Sequence, residues 1–206
     1  MRINTIHILT SLITLLIACN QSIPYADGIG ECDRIHNERI EAEMAKLKSG
    51  LKTSPVLKTP ECLVGVRLPE CDIETSNQKF SINKLKGKKT ILCFWESNCP
   101  PCIYRIPIYN KLKSQLGEEN YNFISVGLDT KENIISTTDK YNWKYIHATN
   151  GRLLIEEVFE LNFGYPVTFL VDENLVIQAI IPSSTKEEVE TGDAYSELLK
   201  IIMDNA

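Results

Sequence analysis

Cys99-Pro100-Pro101-Cys102 sets two thiols three positions apart. The pair follows an apolar run, Thr90-Ile91-Leu92-Cys93-Phe94-Trp95, and opens a segment that reads as a helix. Thiols at this spacing can close a small disulfide across the first helical turn. A thiolate at a helix N-terminus is favoured by the dipole and by free backbone N–H groups. That lowers the cysteine pKa and makes it nucleophilic near neutral pH. The chemistry is thiol–disulfide exchange. Cys99 is the expected nucleophile. Cys102, one turn further in and more buried, is expected to attack the mixed disulfide and release the product. A structural disulfide and half of a zinc site are the alternatives. A four-thiol zinc site needs a second paired cluster, and Cys62 and Cys71 are too widely spaced to form one, so neither a metal nor a cofactor is expected. Pro100 and Pro101 stiffen the turn and withhold backbone donors from the sulfurs.

Phe94-Trp95-Glu96-Ser97-Asn98-Cys99-Pro100-Pro101-Cys102, followed by Pro107, resembles the thioredoxin superfamily, in particular the TlpA/ResA-like membrane-anchored thiol-disulfide oxidoreductases of bacteria. A second segment, Phe163-Gly164-Tyr165-Pro166-Val167-Thr168-Phe169-Leu170-Val171-Asp172, is similar to that family's cis-proline loop and the strand after it. The stretch from Gly65 through Leu68-Pro69 to Leu85-Lys86-Gly87-Lys88 fits its lead-in hairpin. Together these cover residues 63–206. The resemblance implies a thioredoxin-like α/β fold, with a central mixed β-sheet, helices on both faces and an N-terminal β-hairpin extension. It implies that Pro166 is cis and sets the Tyr165 backbone beside the two sulfurs, where an extended substrate can pair with it. It also implies mostly reductase work on protein thiols and disulfides, apocytochrome c among them, with a membrane electron donor. Monomer is the default state.

The chain departs from the pattern at three positions. The superfamily often has a buried acid where this chain has Cys93. TlpA/ResA-like proteins often have an acid where it has Arg105, and a tryptophan where it has Asn98. The usual proton acceptor for the resolving thiol is therefore missing. Glu96 is the nearest replacement. Arg105 would favour a thiolate if it faces the sulfurs; the alternative has it pointing to solvent. Trp95 packs beside the active loop or serves as plain core. Two other functions share the fold. A thiol peroxidase places proline and threonine or serine ahead of its cysteine, and Trp95-Glu96-Ser97-Asn98 has no proline. A non-catalytic binding module would use the Tyr165-Pro166 groove alone.

The 206 residues carry a formal charge of -5 and no basic stripe, so nothing supports nucleic-acid binding. Arg2 precedes an apolar stretch, Ile6 to Ile17, that is short for a membrane span and has the length and charge of a signal peptide. Leu16-Ile17-Ala18-Cys19 looks like a bacterial lipobox. It implies removal of residues 1–18, lipid attachment at Cys19 and a place in the cell envelope, on the periplasmic side of a membrane. Of the remaining cysteines, Cys93 lies in the buried strand and reads as an apolar filler. Cys62 can pair with Cys71 or with Cys32; spacing leaves both open.

The elements that must position the thiols alternate strand and helix. Residues 19–62 read as tether and helical extension. Within them, 20–30 is a linker and 33–51 a helix whose stripe of Ile40, Met44, Leu47 and Leu51 is expected to pack on the domain, the alternative being an exposed amphipathic segment. A connector with Pro55 and Pro60 follows. Strands are expected at 63–68, 79–82, 90–95, 121–128, 145–148, 167–171 and 175–181. Helices are expected at 100–116 (kinked at Pro107), 131–141, 152–161 and 185–203, the last broken at Gly192.

Overall fold

The computed structural model describes residues 22–53, 60–161, 163–181 and 183–205. The expected signal peptide and Cys19 lie outside the described residues. Five strands form the central sheet: β3 (Lys89–Trp95), β4 (Tyr121–Gly127), β5 (Ile146–Ala148), β6 (Val167–Val171) and β7 (Ile177–Ile181). A separate pair, β1 (Asp72–Glu74) and β2 (Lys79–Ser81), precedes them. The sheet order is β5-β4-β3-β6-β7. Strand β3 runs parallel to β4, and β4 to β5, while β6 and β7 are antiparallel. The sheet is mixed, as expected.

Strand β3 explains the layering. Its residues from Thr90 to Trp95 are all buried, as a strand covered on both faces must be. Because strand side chains alternate, Ile91, Cys93 and Trp95 enter one core, and Leu92 and Phe94 enter the other. The first core is closed by α2 (Pro100–Tyr104), α3 (Ile106–Leu116) and α7 (Asp193–Asp204), with Ile134 from α4 (Lys131–Lys140). The second is closed by α1 (Tyr25–Lys48) and by the turn after α5 (Gly151–Leu153). Helices therefore cover both faces. Helix α6 (Lys186–Thr191) ends at Gly192, whose φ of 88° breaks the last helix where the sequence predicts.

Several boundaries differ from expectation. The expected single helix over 100–116 is two segments meeting at Arg105. Pro107 removes an N–H donor, and its ring would clash with the carbonyl of Ile103 in a continuous helix. The helix expected over 152–161 is α5 followed by a single wide turn over Leu154–Val158. The lead-in hairpin uses Asp72–Glu74, not 63–68, against Lys79–Ser81. Gly65 adopts a φ of 87°, which interrupts a strand there. Residues 65–68 instead run along the outer edge of β7: the Gly65 N–H donates to the Ile177 carbonyl at 2.8 Å, and the Leu68 N–H to the Leu175 carbonyl at 2.8 Å. That covers backbone groups an edge strand would leave open.

The N-terminal region is the largest correction. Helix α1 begins at Tyr25, inside the stretch read as a linker. The Tyr25 hydroxyl donates to the Phe159 carbonyl at 2.8 Å, and its ring meets Phe159 edge-on. Gly28 permits this docking, because a Cβ there would come within 2.5 Å of Val66. Cys32 bonds to Cys62, with Cα atoms 5.4 Å apart, and Cys71 is free. The contact face is therefore Tyr25, Ile29 and Cys32. Met44, Leu47 and Leu51, expected to pack on the domain, are mainly exposed. The Cys32–Cys62 bond closes a loop 30 residues apart in sequence. Chain-entropy arguments give it about 3–4 kcal/mol. Cys62→Ser should lower unfolding stability by that amount in urea titration. A change below about 1 kcal/mol would mean that the apolar contacts of α1 suffice.

Candidate active site

The site grows from the C-terminal end of β3. Beyond Trp95 the chain turns away from the sheet through Glu96, Ser97 and Asn98. That loop is held from below by the neighbouring strand's loop. The Leu128 N–H donates to the Trp95 carbonyl at 2.9 Å. Asp129 accepts from the Ser97 N–H at 2.7 Å and from its hydroxyl at 2.8 Å. Two hydrogen bonds to one carboxylate make Asp129 the clamp of the loop. Asp129→Asn should cost about 1–3 kcal/mol and slow exchange at Cys99 by loosening its approach. Unchanged melting temperature and unchanged alkylation rate of reduced Cys99 would remove Asp129 from this role.

Cys99 is the N-cap residue of α2 and is half-buried, whereas Cys102 is 1% exposed. The two are joined as a disulfide, with Cα atoms 5.3 Å apart. Pro100 and Pro101 occupy the first helical positions and carry no N–H. The first backbone donor of the helix is thus Cys102, and its N–H donates to Cys99 Sγ at 3.3 Å.

Tyr165–Pro166 is a cis peptide, and Cys99 Sγ lies 3.3 Å from the Tyr165 carbonyl oxygen. Pro166 is buried and Tyr165 half-buried. The Tyr165 hydroxyl donates to the Leu161 carbonyl at 3.2 Å. Burial raises the pKa of that hydroxyl, helped by the Glu96 and Glu156 charges. Glu96 thus sits on the rim beside Tyr165; its backbone carbonyl accepts from the Cys99 N–H at 3.2 Å. Trp95 lies wholly under the loop, edge-on to Trp143 with ring centres 5.1 Å apart.

Arg105 does not point to solvent. It is fully buried, with its guanidinium carbon 5.5 Å from the centre of the Tyr109 ring. Cys93 is also fully buried, and burial pushes its thiol up to about 11. Tyr109 and Thr168 share a hydrogen bond of 2.9 Å beside it. Sequence reasoning missed Asp129, Tyr109 and Thr168. Asp129 had a usable signal: it follows a strand parallel to β3, at the end where α/β sheets place their sites. Among the described residues, no three His, Cys, Asp or Glu side chains gather closely enough to share a metal ion.

The AhpC/TSA family model matches residues 64–180. Thioredoxin-like protein YneN of Bacillus subtilis is 29% identical over 132 residues, covering 61% of this chain and 76% of that protein. The thiol-disulfide oxidoreductase ResA of Bacillus cereus is 29% identical over 119 residues, covering 57% of this chain and 68% of ResA. The thioredoxin domain of a thiol-disulfide oxidoreductase from Bacteroides vulgatus shares the fold, with a TM-score of 0.55 at 19% identity, over 68% of this chain and 97% of that one. With more than half of its length matched, the chain belongs to the AhpC/TSA family, as a TlpA/ResA-like protein of the thioredoxin superfamily.

Proposed function

We propose that this protein is an extracytoplasmic thiol-disulfide oxidoreductase that reduces protein disulfides. The observation that carries the reading is the asymmetry of the pair. Cys99 is reachable and lies 3.3 Å from the Tyr165 carbonyl, while Cys102 is buried behind it. In the reduced protein, the Cys99 thiolate attacks one sulfur of the substrate disulfide. An S–S bond forms between Cys99 and the substrate, and the other substrate sulfur leaves with the electron pair. Cys102 then attacks Cys99 Sγ. The Cys99–Cys102 bond forms, the mixed disulfide breaks and the second substrate sulfur leaves as a thiolate that takes a proton. Two electrons pass from the dithiol to the substrate. The open backbone at Tyr165 gives an extended substrate an edge to pair with.

The lipobox around Cys19 supports a lipid-anchored protein in the cell envelope, resupplied by a membrane electron donor. Apocytochrome c is the substrate that the TlpA/ResA resemblance suggests. The deciding experiment equilibrates a soluble form beginning after Cys19 with glutathione or dithiothreitol buffers. A potential near about -270 mV, the thioredoxin end, supports the reductase. A value near about -120 mV points to disulfide formation instead. A pair that never cycles leaves the non-catalytic binding module. Rapid oxidation of Cys99 by hydrogen peroxide, faster than by disulfides, would favour the peroxidase reading.

A further inference from the structure

The second disulfide, Cys32–Cys62, borders a cleft of about 310 Å³. Its walls are Cys32, Ile35, His36 and Arg39 on α1, and Glu61 and Cys62 on the turn over Pro60–Leu63. The two cysteines are not equally shielded. Cys32 is 2% exposed within the helix, whereas Cys62 is half-buried on the turn. A staple that only holds two elements together needs no opening beside it. A bond with one open partner and a cleft against it has room for an attacking thiolate.

The walls carry charge of both signs. Arg39 is exposed on the helix side, and Glu61 is exposed on the turn side. His36 lies one turn after Cys32, on the same helical face. Its Nδ1 is buried with no hydrogen-bond partner among the described residues. The bond can also open without releasing α1, because the start of that helix has its own attachments. The Tyr25 hydroxyl donates to the Phe159 carbonyl at 2.8 Å. Just before the helix, the Ile23 carbonyl accepts from the Arg67 N–H at 2.9 Å.

We propose that this cleft is a second thiol-exchange site, where Cys62 takes up a small aminothiol bearing a carboxylate and an ammonium group as a mixed disulfide. The size follows from the cleft: about 310 Å³ lies at the small-molecule end of the usual range, which starts at about 300 Å³. The class follows from charge. Arg39 offers a partner to a carboxylate, and Glu61 offers one to an ammonium group. In the step, the thiolate of the small molecule attacks Cys62 Sγ. An S–S bond forms between them, the Cys32–Cys62 bond breaks, and its electron pair leaves on Cys32 Sγ. Cys32 takes a proton from solvent, and His36 Nδ1 is an acceptor for the new S–H. The small thiol is oxidised to the mixed disulfide as the protein bond is reduced. Attack by Cys32 on Cys62 Sγ reverses the step and releases the thiol. None of this requires Cys99 or Cys102, so the site stands apart from the exchange proposed for that pair.

The test mixes the oxidised protein briefly with reduced glutathione, quenches with acid, alkylates, and maps adducts by peptide mass spectrometry. Reduced glutathione adds to disulfides and leaves the free thiols of Cys71 and Cys93 unmodified, so an adduct reports exchange. The expected result is glutathione on Cys62 and alkylation of Cys32, in protein whose circular dichroism matches that of the untreated chain. Arg39→Gln should slow that adduct about threefold, as loss of an exposed ion pair would. It should leave unchanged the rate with cysteamine, which has no carboxylate. Glu61→Gln should slow both glutathione and cysteamine by a similar factor, and leave mercaptoacetate, which has no ammonium group, unchanged. Both positions are exposed, so both variants keep the fold. Glutathione on Cys32 instead of Cys62 would overturn the proposal. So would an adduct that forms only after urea has unfolded the chain, which marks the bond as a staple alone. Unchanged rates for all three thiols in both variants would overturn the assigned class of ligand. The Cys99–Cys102 peptide is read in the same digest, so failure at Cys62 and failure of the first pair are seen separately.

Discussion

Cys99→Ser should bring reduction of a test disulfide such as that of insulin down by roughly a thousandfold or more, to the uncatalysed background. Cys102→Ser should behave differently. It keeps the reachable thiol and its Tyr165 partner, so the first attack still occurs. It lacks the group that releases the product, so a covalent complex with the substrate accumulates. The two variants separate because α2 presents its two sulfurs unequally. Cys99 caps the helix at the surface, and Cys102 is 1% exposed one turn below. Non-reducing gels after mixing with an oxidised protein substrate read the outcome. Retention of more than a few per cent of activity by Cys99→Ser would place the nucleophile elsewhere. Equal trapping by both variants would contradict the assigned order of attack.

Phe94→Ala should be the most damaging of the simple core truncations. Phe94 is fully buried on β3, with its ring edge-on to Phe159 at 5.1 Å and to Phe169 at 5.0 Å. Truncating a buried phenylalanine costs about 3–5 kcal/mol, and each aromatic pair adds about 0.5–1.5 kcal/mol beyond area burial. A typical domain has only about 5–15 kcal/mol of net stability. Urea titration should therefore show a large fall in midpoint, and a loss under about 1 kcal/mol would contradict the packing. Phe94 faces the core opposite Cys102. The fraction that remains folded should therefore keep the redox potential of the parent, which separates loss of scaffold from loss of chemistry.

Much of the site can be read from local patterns. The paired cysteines, the apolar strand before them and Tyr165-Pro166 are short segments whose meaning depends on residue type and spacing. The helix break at Gly192 and the one at Arg105, which Pro107 imposes, follow from backbone geometry, which is also local. Other features needed distant partners. Asp129 is 32 residues from Ser97, and only the pairing of β3 with β4 brings them together. The partner of Cys62 depended on where α1 docks, and two pairings were equally open until Tyr25 and Gly28 set that helix against Phe159 and Val66. The apolar stripe from Ile40 to Leu51 misled for the same reason: periodicity shows that a helix has a face, but not that a neighbour covers it. Residues 63–68 are apolar enough for a strand, yet the left-handed Gly65 sends them along β7 instead.

By itself, then, the sequence determined the chemistry at hand: two thiols at exchange spacing and an apolar strand leading into them. Those are matters of covalent order, and no fold rearranges them. The tertiary structure alone decided how deeply Cys102 is buried, which carboxylate clamps the loop and that Arg105 is buried against Tyr109. A charge written at position 105 has one meaning in water and another in a desolvated core. Burial depends on the packing of β3, β6, α3 and the segment before β5 together, and no single stretch of the chain encodes it.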